Sequence, residues 1–173
     1  MRIIAIDPGY ERLGIAVLEK LPKQKESLLF SSCVRTSKTL PHAERLFEIA
    51  TGVRNIIEKW EPQALAVETL FLANNQKTAM PVAEARGVCL YEAAAAGLKV
   101  FEYTPLQIKM AVTGYGKSDK RQVTEMVRRL IKLPEGYHPS SILPSTEGRK
   151  KTRLDDEYDA IAVGLTCLAS HKY

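Results

Sequence analysis

Residues 2–7 read RIIAID, an apolar run that closes on an acid and is stopped at once by Pro8-Gly9. A second apolar run, LGIAVL at 13–18, follows the turn. Two short apolar runs on either side of a Pro-Gly turn form a strand hairpin, and a hairpin this apolar has to be covered by other elements. A third strand is expected over Leu28 to Arg35, ending before the polar cluster Thr36 to Thr39. Three antiparallel strands therefore open the domain.

Beyond them the apolar spacing changes to the helical period. Leu46, Ile49, Ala50, Val53, Ile56, Ile57 and Trp60 lie on one stripe of a helix over His42 to Trp60, which Pro62 ends. Ala64 to Val67 is a short buried strand delivering Glu68 at its carboxyl end. A helix over Thr78 to Ala96 follows, with Pro81 in its first turn or kinking it. Leu98 to Tyr103 reads as a strand. Ser118 to Lys132 reads as a helix capped by Ser118, with Val123, Met126, Val127, Leu130 and Ile131 inward. Glu135 to Arg153 carries glycines, prolines and a basic run without periodicity and reads as a long basic loop. A last helix runs from about Asp155 to Ser170, with Ile161, Ala162, Leu165 and Ala169 as its buried stripe. The order fits an α/β fold: a mixed five-stranded sheet with helices on both faces, the ribonuclease-H-like architecture.

The 173 residues suit one domain over 1–173, and 45% hydrophobic with 26% charged residues is globular composition rather than that of a disordered chain. Lys and Arg exceed Asp and Glu by 25 to 20, a surplus that suits a polyanionic partner without proving one. Cys33, Cys89 and Cys167 are odd in number, far apart and free of any CxxC pair, so they read as reduced core residues. The N-terminal apolar stretch is broken by Asp7 and has no cleavage pattern, and no segment approaches the ~20 apolar residues that span a bilayer. A soluble cytoplasmic protein with no membrane partner is expected.

Four acids need a reason. Asp7 ends an apolar strand, where a carboxylate facing the interior is costly unless a cation or hydrogen-bond donors meet it. Its bland reading is a turn residue in Asp-Pro-Gly. Glu68 repeats the pattern, with a solvated strand end as the bland reading. Asp156 and Asp159 share one helix face, about 5–6 Å apart at Cβ. Together with Asp155 and Glu157 they also suit the positive end of a helix dipole. As a set, the four can converge into an all-oxygen site for Mg²⁺ or Mn²⁺, while His42, His138 and His171 are scattered without metal-ligand spacing. Two ions roughly 3.5–4 Å apart can activate water and stabilise a leaving oxygen in phosphodiester hydrolysis. Asp7 would bridge both, with Glu68, Asp156 and Asp159 completing their shells.

These residues sit in longer motifs: IDPGYERLGIAV, AVETLF, EARGV at 84–88, FEYTPLQIKMAVTGYGKSDKRQV, and D-x-x-D before an alanine-rich helix. Over nearly the whole chain they resemble RuvC-type Holliday-junction resolvases. The resemblance implies a homodimer that binds a four-way DNA junction and nicks two opposite strands symmetrically, leaving 5′-phosphate and 3′-hydroxyl ends. It puts the family's four acids on Asp7, Glu68, Asp156 and Asp159. Some members have histidine at the position of Asp156, and Asp155 competes weakly for that role. Phe71 matches an aromatic that stacks on bases near the crossover, its bland reading being a core phenylalanine. Lys109 and Lys120 match lysines near the scissile phosphate.

Lys117 and Arg121 would extend the basic surface, while Arg128 and Arg129 are better read as solvated helix charges. The 135–153 segment is longer than the family's usual link, and GRKKTR, with Lys150 and Lys151, is expected to touch a junction arm. The resemblance also brings a branch-migration helicase as partner, and the small residues of the 78–96 helix suit a dimer seam as well as a core. Two other readings stand beside it. A junction-binding module without catalysis would lack some of the acids. An actin-like nucleotide-binding protein would need two such domains and a phosphate loop that the sequence does not contain.

Overall fold

The computed structural model describes residues 1–70, 76–131 and 155–171. Five strands form one sheet in the order β3-β2-β1-β4-β5. They are β1 (Arg2–Asp7), β2 (Arg12–Glu19), β3 (Ser27–Arg35), β4 (Ala64–Glu68) and β5 (Lys99–Tyr103). β1 to β3 are antiparallel neighbours, whereas β4 joins β1 and β5 joins β4 in parallel, each through a helical crossover. The expected ribonuclease-H-like mixed sheet is what forms.

The helices are α1 (His42–Trp60), α2 (Gln76–Ala95), α3 (Pro105–Thr113), α4 (Lys120–Leu130) and α5 (Asp155–Ser170). Successive strand residues point to opposite faces. Ile3 and Ala5 of β1 therefore enter one core with α3, α4 and α5, while Ile4 and Ile6 enter a second core with α1 and α2. Both faces of β1 are sealed, which is why its sequence is a continuous apolar run and not an alternating one. α5 is buried on nearly all sides from Asp156 to Leu168, because it lies across β1 and β2 with α3 and α4 against it.

The structure departs from expectation in several places. α3 was not anticipated as a helix, although Thr104 and Gln107 form a reciprocal capping box with Pro105 in the first turn. The cap of α4 is Asp119 rather than Ser118, and the helix ends at Leu130 with Leu130 exposed, so only Val123, Val127 and Ile131 of its expected face are fully buried. α2 begins at Gln76, which puts Pro81 past the first turn and inside the helix. Ala169 is exposed, since α5 has left the sheet by then. Phe71, the 135–153 segment, Lys150 and Lys151 lie outside the described residues. Among those described, no helix is long and apolar enough to cross a membrane.

Candidate active site

Asp7 is the last residue of β1, and the parallel pairing of Ile6 with Val67 sets Glu68, the last of β4, on the neighbouring strand end. Adjacent strands lie about 4.8 Å apart, so two carboxylates are forced together by register alone. The turn that follows Asp7 is fixed from outside. Thr36 Oγ1 donates to Tyr10 O at 2.7 Å and accepts from Arg45 Nε at 2.9 Å, and the Arg45 guanidinium stacks on the Tyr10 ring at 3.8 Å. On the other strand end, Arg86 of α2 donates Nε–H to the Glu68 carbonyl at 3.2 Å and pairs with Glu102.

Asp7, Glu68 and Asp159 line one cleft of about 320 Å³, with Lys109 of α3 and Lys120 of α4 on its rim and Ile108 and Val123 in its wall. Lys120 Nζ lies 2.9 Å from Asp159 Oδ2 and 3.9 Å from Asp155. Asp156 is turned elsewhere. Its Oδ2 lies 3.2 Å from Arg12 Nε and 3.6 Å from Cys33 Sγ. The arrangement unites three of the four expected acids with both expected lysines, while Asp156 stands aside as the side chains lie. Among the described residues no three acid, histidine or cysteine side chains enclose a point as a cation cage does. Lys120 holds Asp159 and Arg12 holds Asp156.

Electrostatics nevertheless bind the four acids into one unit. Burial, then the charges of Asp159, Glu68 and Asp156, push the Asp7 carboxyl well above its ordinary value, with Lys120 pulling weakly the other way. Burial and then Asp159 raise Glu68 to about 7, against Lys109. Burial also raises Asp159, while Lys120 opposes it and Asp156 and Asp155 add to it. For Lys120, burial disfavours the ammonium, but the hydrogen bond and charge of Asp159 outweigh it and its pKa rises. Carboxylates crowded in low dielectric are a destabilised set that a divalent cation would relieve. Their donors are all hard oxygens, so the residues fit Mg²⁺ or Mn²⁺.

That crowding has a measurable sign. Glu68 has a folded pKa above its ordinary 4.5, so the folded state holds the extra proton. In chelator, its contribution to stability is present at acid pH and lost as pH rises from about 4.5 to about 7. Glu68→Gln should therefore melt several degrees above the wild type at pH 8 and lose that advantage near pH 4, in thermal melts without divalent ions. A variant that melts lower than the wild type at pH 8 would contradict the strained-carboxylate picture.

The sequence attached no site role to Arg12, Cys33 or Arg86. Arg86 sits in the EARGV motif, which was a signal without a role attached. Arg12 likewise sits in IDPGYERLGIAV, and Cys33 was read only as a reduced core residue; strand pairing and the docking of α5 bring both to Asp156. Glu157, expected among the dipole-favoured acids of α5, is instead 3% exposed and hydrogen-bonded to Ser31 of β3. Lys117 and Arg121 are exposed and do not line the cleft.

Comparison with known proteins identifies the family. The family profile described as crossover junction endodeoxyribonuclease RuvC matches residues 3–144. The protein of that name from Moorella thermoacetica is 41% identical over 170 residues, covering 98% of this chain and 92% of the relative. Its namesake from Halothermothrix orenii is 42% identical over 165 residues, covering 95% and 90%. Among solved structures, Thermus thermophilus RuvC in complex with Holliday junction substrate superposes with a TM-score of 0.81 at 32% identity, covering 98% of this chain and 94% of that one. A yeast mitochondrial Holliday junction resolvase at 14% identity and a TM-score of 0.65 shares the fold. With a profile match over most of its length and full-length relatives above 40% identity, this chain belongs to the RuvC family of crossover junction endodeoxyribonucleases.

Proposed function

We propose that this chain is a structure-specific endonuclease that resolves four-way DNA junctions in recombination and repair, by metal-assisted hydrolysis of two symmetric phosphodiesters. The observation that carries the reading is the cleft in which Asp7, Glu68 and Asp159 crowd against one another beneath Lys109 and Lys120. A surface meant only to hold DNA gains nothing from crowded, half-buried acids, which repel a phosphate. Asp7, Glu68 and Asp159 would hold the ions, two per site, and Asp156 would join when Arg12 releases it. When bound, Mg²⁺ or Mn²⁺ supplies a water acidic enough to attack near neutral pH and a counter-charge for the leaving oxygen.

The chain's own groups do the rest. The backbones that carry Asp7 and Glu68 are held by strand register, by the Arg86 bond to the Glu68 carbonyl and by the Thr36 bond to the Tyr10 carbonyl in the turn after Asp7, so both acids start from fixed strand ends. Lys120, which pairs with Asp159, would be free to face the phosphate with Lys109 if that carboxylate held a cation. Phe71 as a base-stacking wedge, and Lys150 and Lys151 on a junction arm, belong to the same proposal. Lys117 and Arg121 serve as outer phosphate contacts.

Two opposite strands must be cut, which calls for two such sites. α1 and α2 leave Phe47 and Tyr91 exposed around a shallow groove lined also by Leu46 and Val88, and Met80 of α2 is exposed as well. An apolar patch of this kind on the side of the sheet away from α5 suits the seam of a homodimer. One incubation tests the whole reading. Purified protein with a synthetic four-way junction and Mg²⁺ should give paired nicks in opposite strands and no product in chelator. Binding without nicks would leave the non-catalytic module, and nicks in single strands only would remove the dimer.

A further inference from the structure

The turn that joins α3 to α4 is built more firmly than a connection requires. Thr113 Oγ1 lies 2.8 Å from Lys109 O, 3.0 Å from Tyr115 O and 2.7 Å from Ser118 Oγ, and it accepts from Tyr115 N at 3.1 Å. Ser118 is 3% exposed and its hydroxyl donates to Tyr115 O at 2.8 Å. Gly114 closes α3 in the left-handed conformation, which glycine adopts without strain. Both backbone polar groups of Tyr115 are therefore held, yet its ring is 58% exposed. A rigid backbone presenting a solvated aromatic spends ordering free energy on a side chain that buries little.

The ring does not stand alone. Leu106 and Met110, one helical turn apart on α3, are 60% and 50% exposed. A Cβ on Gly116 would fall 2.4 Å from Leu106 Cδ1 and 3.5 Å from Met110 Cγ, so the turn is pressed onto these two side chains. The result is an exposed apolar shelf of Leu106 and Met110 against the turn at Gly116, the residue after Tyr115. Its border is cationic. Lys109 lies between Leu106 and Met110 and faces the acid cleft, Lys120 begins α4, and Lys117 is exposed in the turn itself.

An exposed aromatic and an apolar shelf on the α3–α4 turn, next to lysines that line a cleft for a phosphate, match a nucleotide. The lysines suit the backbone and the shelf suits a base. We propose that Tyr115, next in the chain to the Gly116 that packs on Leu106 and Met110, receives an unstacked nucleobase beside the phosphate that is cut, and so takes part in choosing the nicked sequence. This rests on the nuclease reading above and adds a base contact on the α3–α4 side of the cleft.

The test uses a four-way junction carrying 2-aminopurine beside the mapped nick, bound in chelator so that no strand is cut. The wild type should change the probe's fluorescence on binding. Tyr115→Ala should abolish that change and weaken binding roughly tenfold. Tyr115→Phe should preserve both, because the ring and not the hydroxyl makes the contact. The melting temperature of Tyr115→Ala should stay within a degree or two of the wild type, since the ring is exposed. A Tyr115→Ala protein with unaltered affinity, probe response and nick-site preference would overturn the proposal while leaving the nuclease reading intact. A wild type that never cuts yet shows a Tyr115-dependent probe response would overturn the nuclease reading and keep the base contact.

Discussion

Asp7→Asn should cut a four-way junction on the order of 10³-fold more slowly than the wild type, bind it at least as tightly, and melt at a higher temperature. The substitution keeps the shape of the side chain and removes its charge. In the wild type that charge is half-buried at the end of β1, and desolvation, then Asp159, Glu68 and Asp156, raise its proton affinity. Folding therefore either protonates the group or bears its repulsion, and asparagine avoids both. The same repulsion acts on an incoming phosphate, so losing it should not weaken the junction complex.

What the variant loses is the anchor shared by the cations. Millimolar Mg²⁺ should raise the melting temperature of the wild type through binding to the folded state and leave that of Asp7→Asn nearly unmoved. Gel assays of cleavage and binding, with melts in chelator and in Mg²⁺, read all four effects. Normal cleavage by Asp7→Asn would remove Asp7 from the mechanism. A lower melting temperature in chelator would show that Asp7 is a structural partner in a satisfied network, the opposite of a strained functional group.

This opposition between stability and function is also why Asp7 and Glu68 were visible in the sequence. An acid closing an apolar strand breaks the local pattern, and such breaks gather at functional sites. The strands and α1 were legible for the complementary reason, since their apolar runs and stripes follow from being sealed between two layers. α3 was missed because it is only nine residues long, with Leu106 and Met110 exposed, so its stripe is too weak to read beside the glycine-rich turn. The orientation of Asp156 was not legible at all. Spacing puts it on the face of Asp159, but Arg12 and Cys33 reach it from β2 and β3, more than a hundred residues away in the chain. Contacts of that separation exist only after the sheet has formed and α5 has docked.

The docking of α5 depends on a residue with no chemistry of its own, and its substitution should have the second largest effect. A Cβ on Gly14 would lie 2.1 Å from the carbonyl oxygen of Asp156 and 2.8 Å from its carbon. A carbon–oxygen contact needs about 3.3 Å, and backbone atoms cannot swing away as a side-chain tip can. Gly14→Ala must therefore push the start of α5 off β2 by about 1 Å. Asp156 and Asp159 would move with it, away from Asp7, which is paired with Gly14 across the hairpin. Overpacking of this kind costs about 1–3 kcal/mol, and a displacement of about 1 Å at a reacting centre costs on the order of 10²-fold in rate. The melting temperature should fall, and cleavage measured well below it should fall by that further factor. A Gly14→Ala protein that melts lower but cuts at the wild-type rate when folded would show that the position of α5 on β2 does not set the geometry of the acids. The activity would then reside in the β1 and β4 strand ends alone.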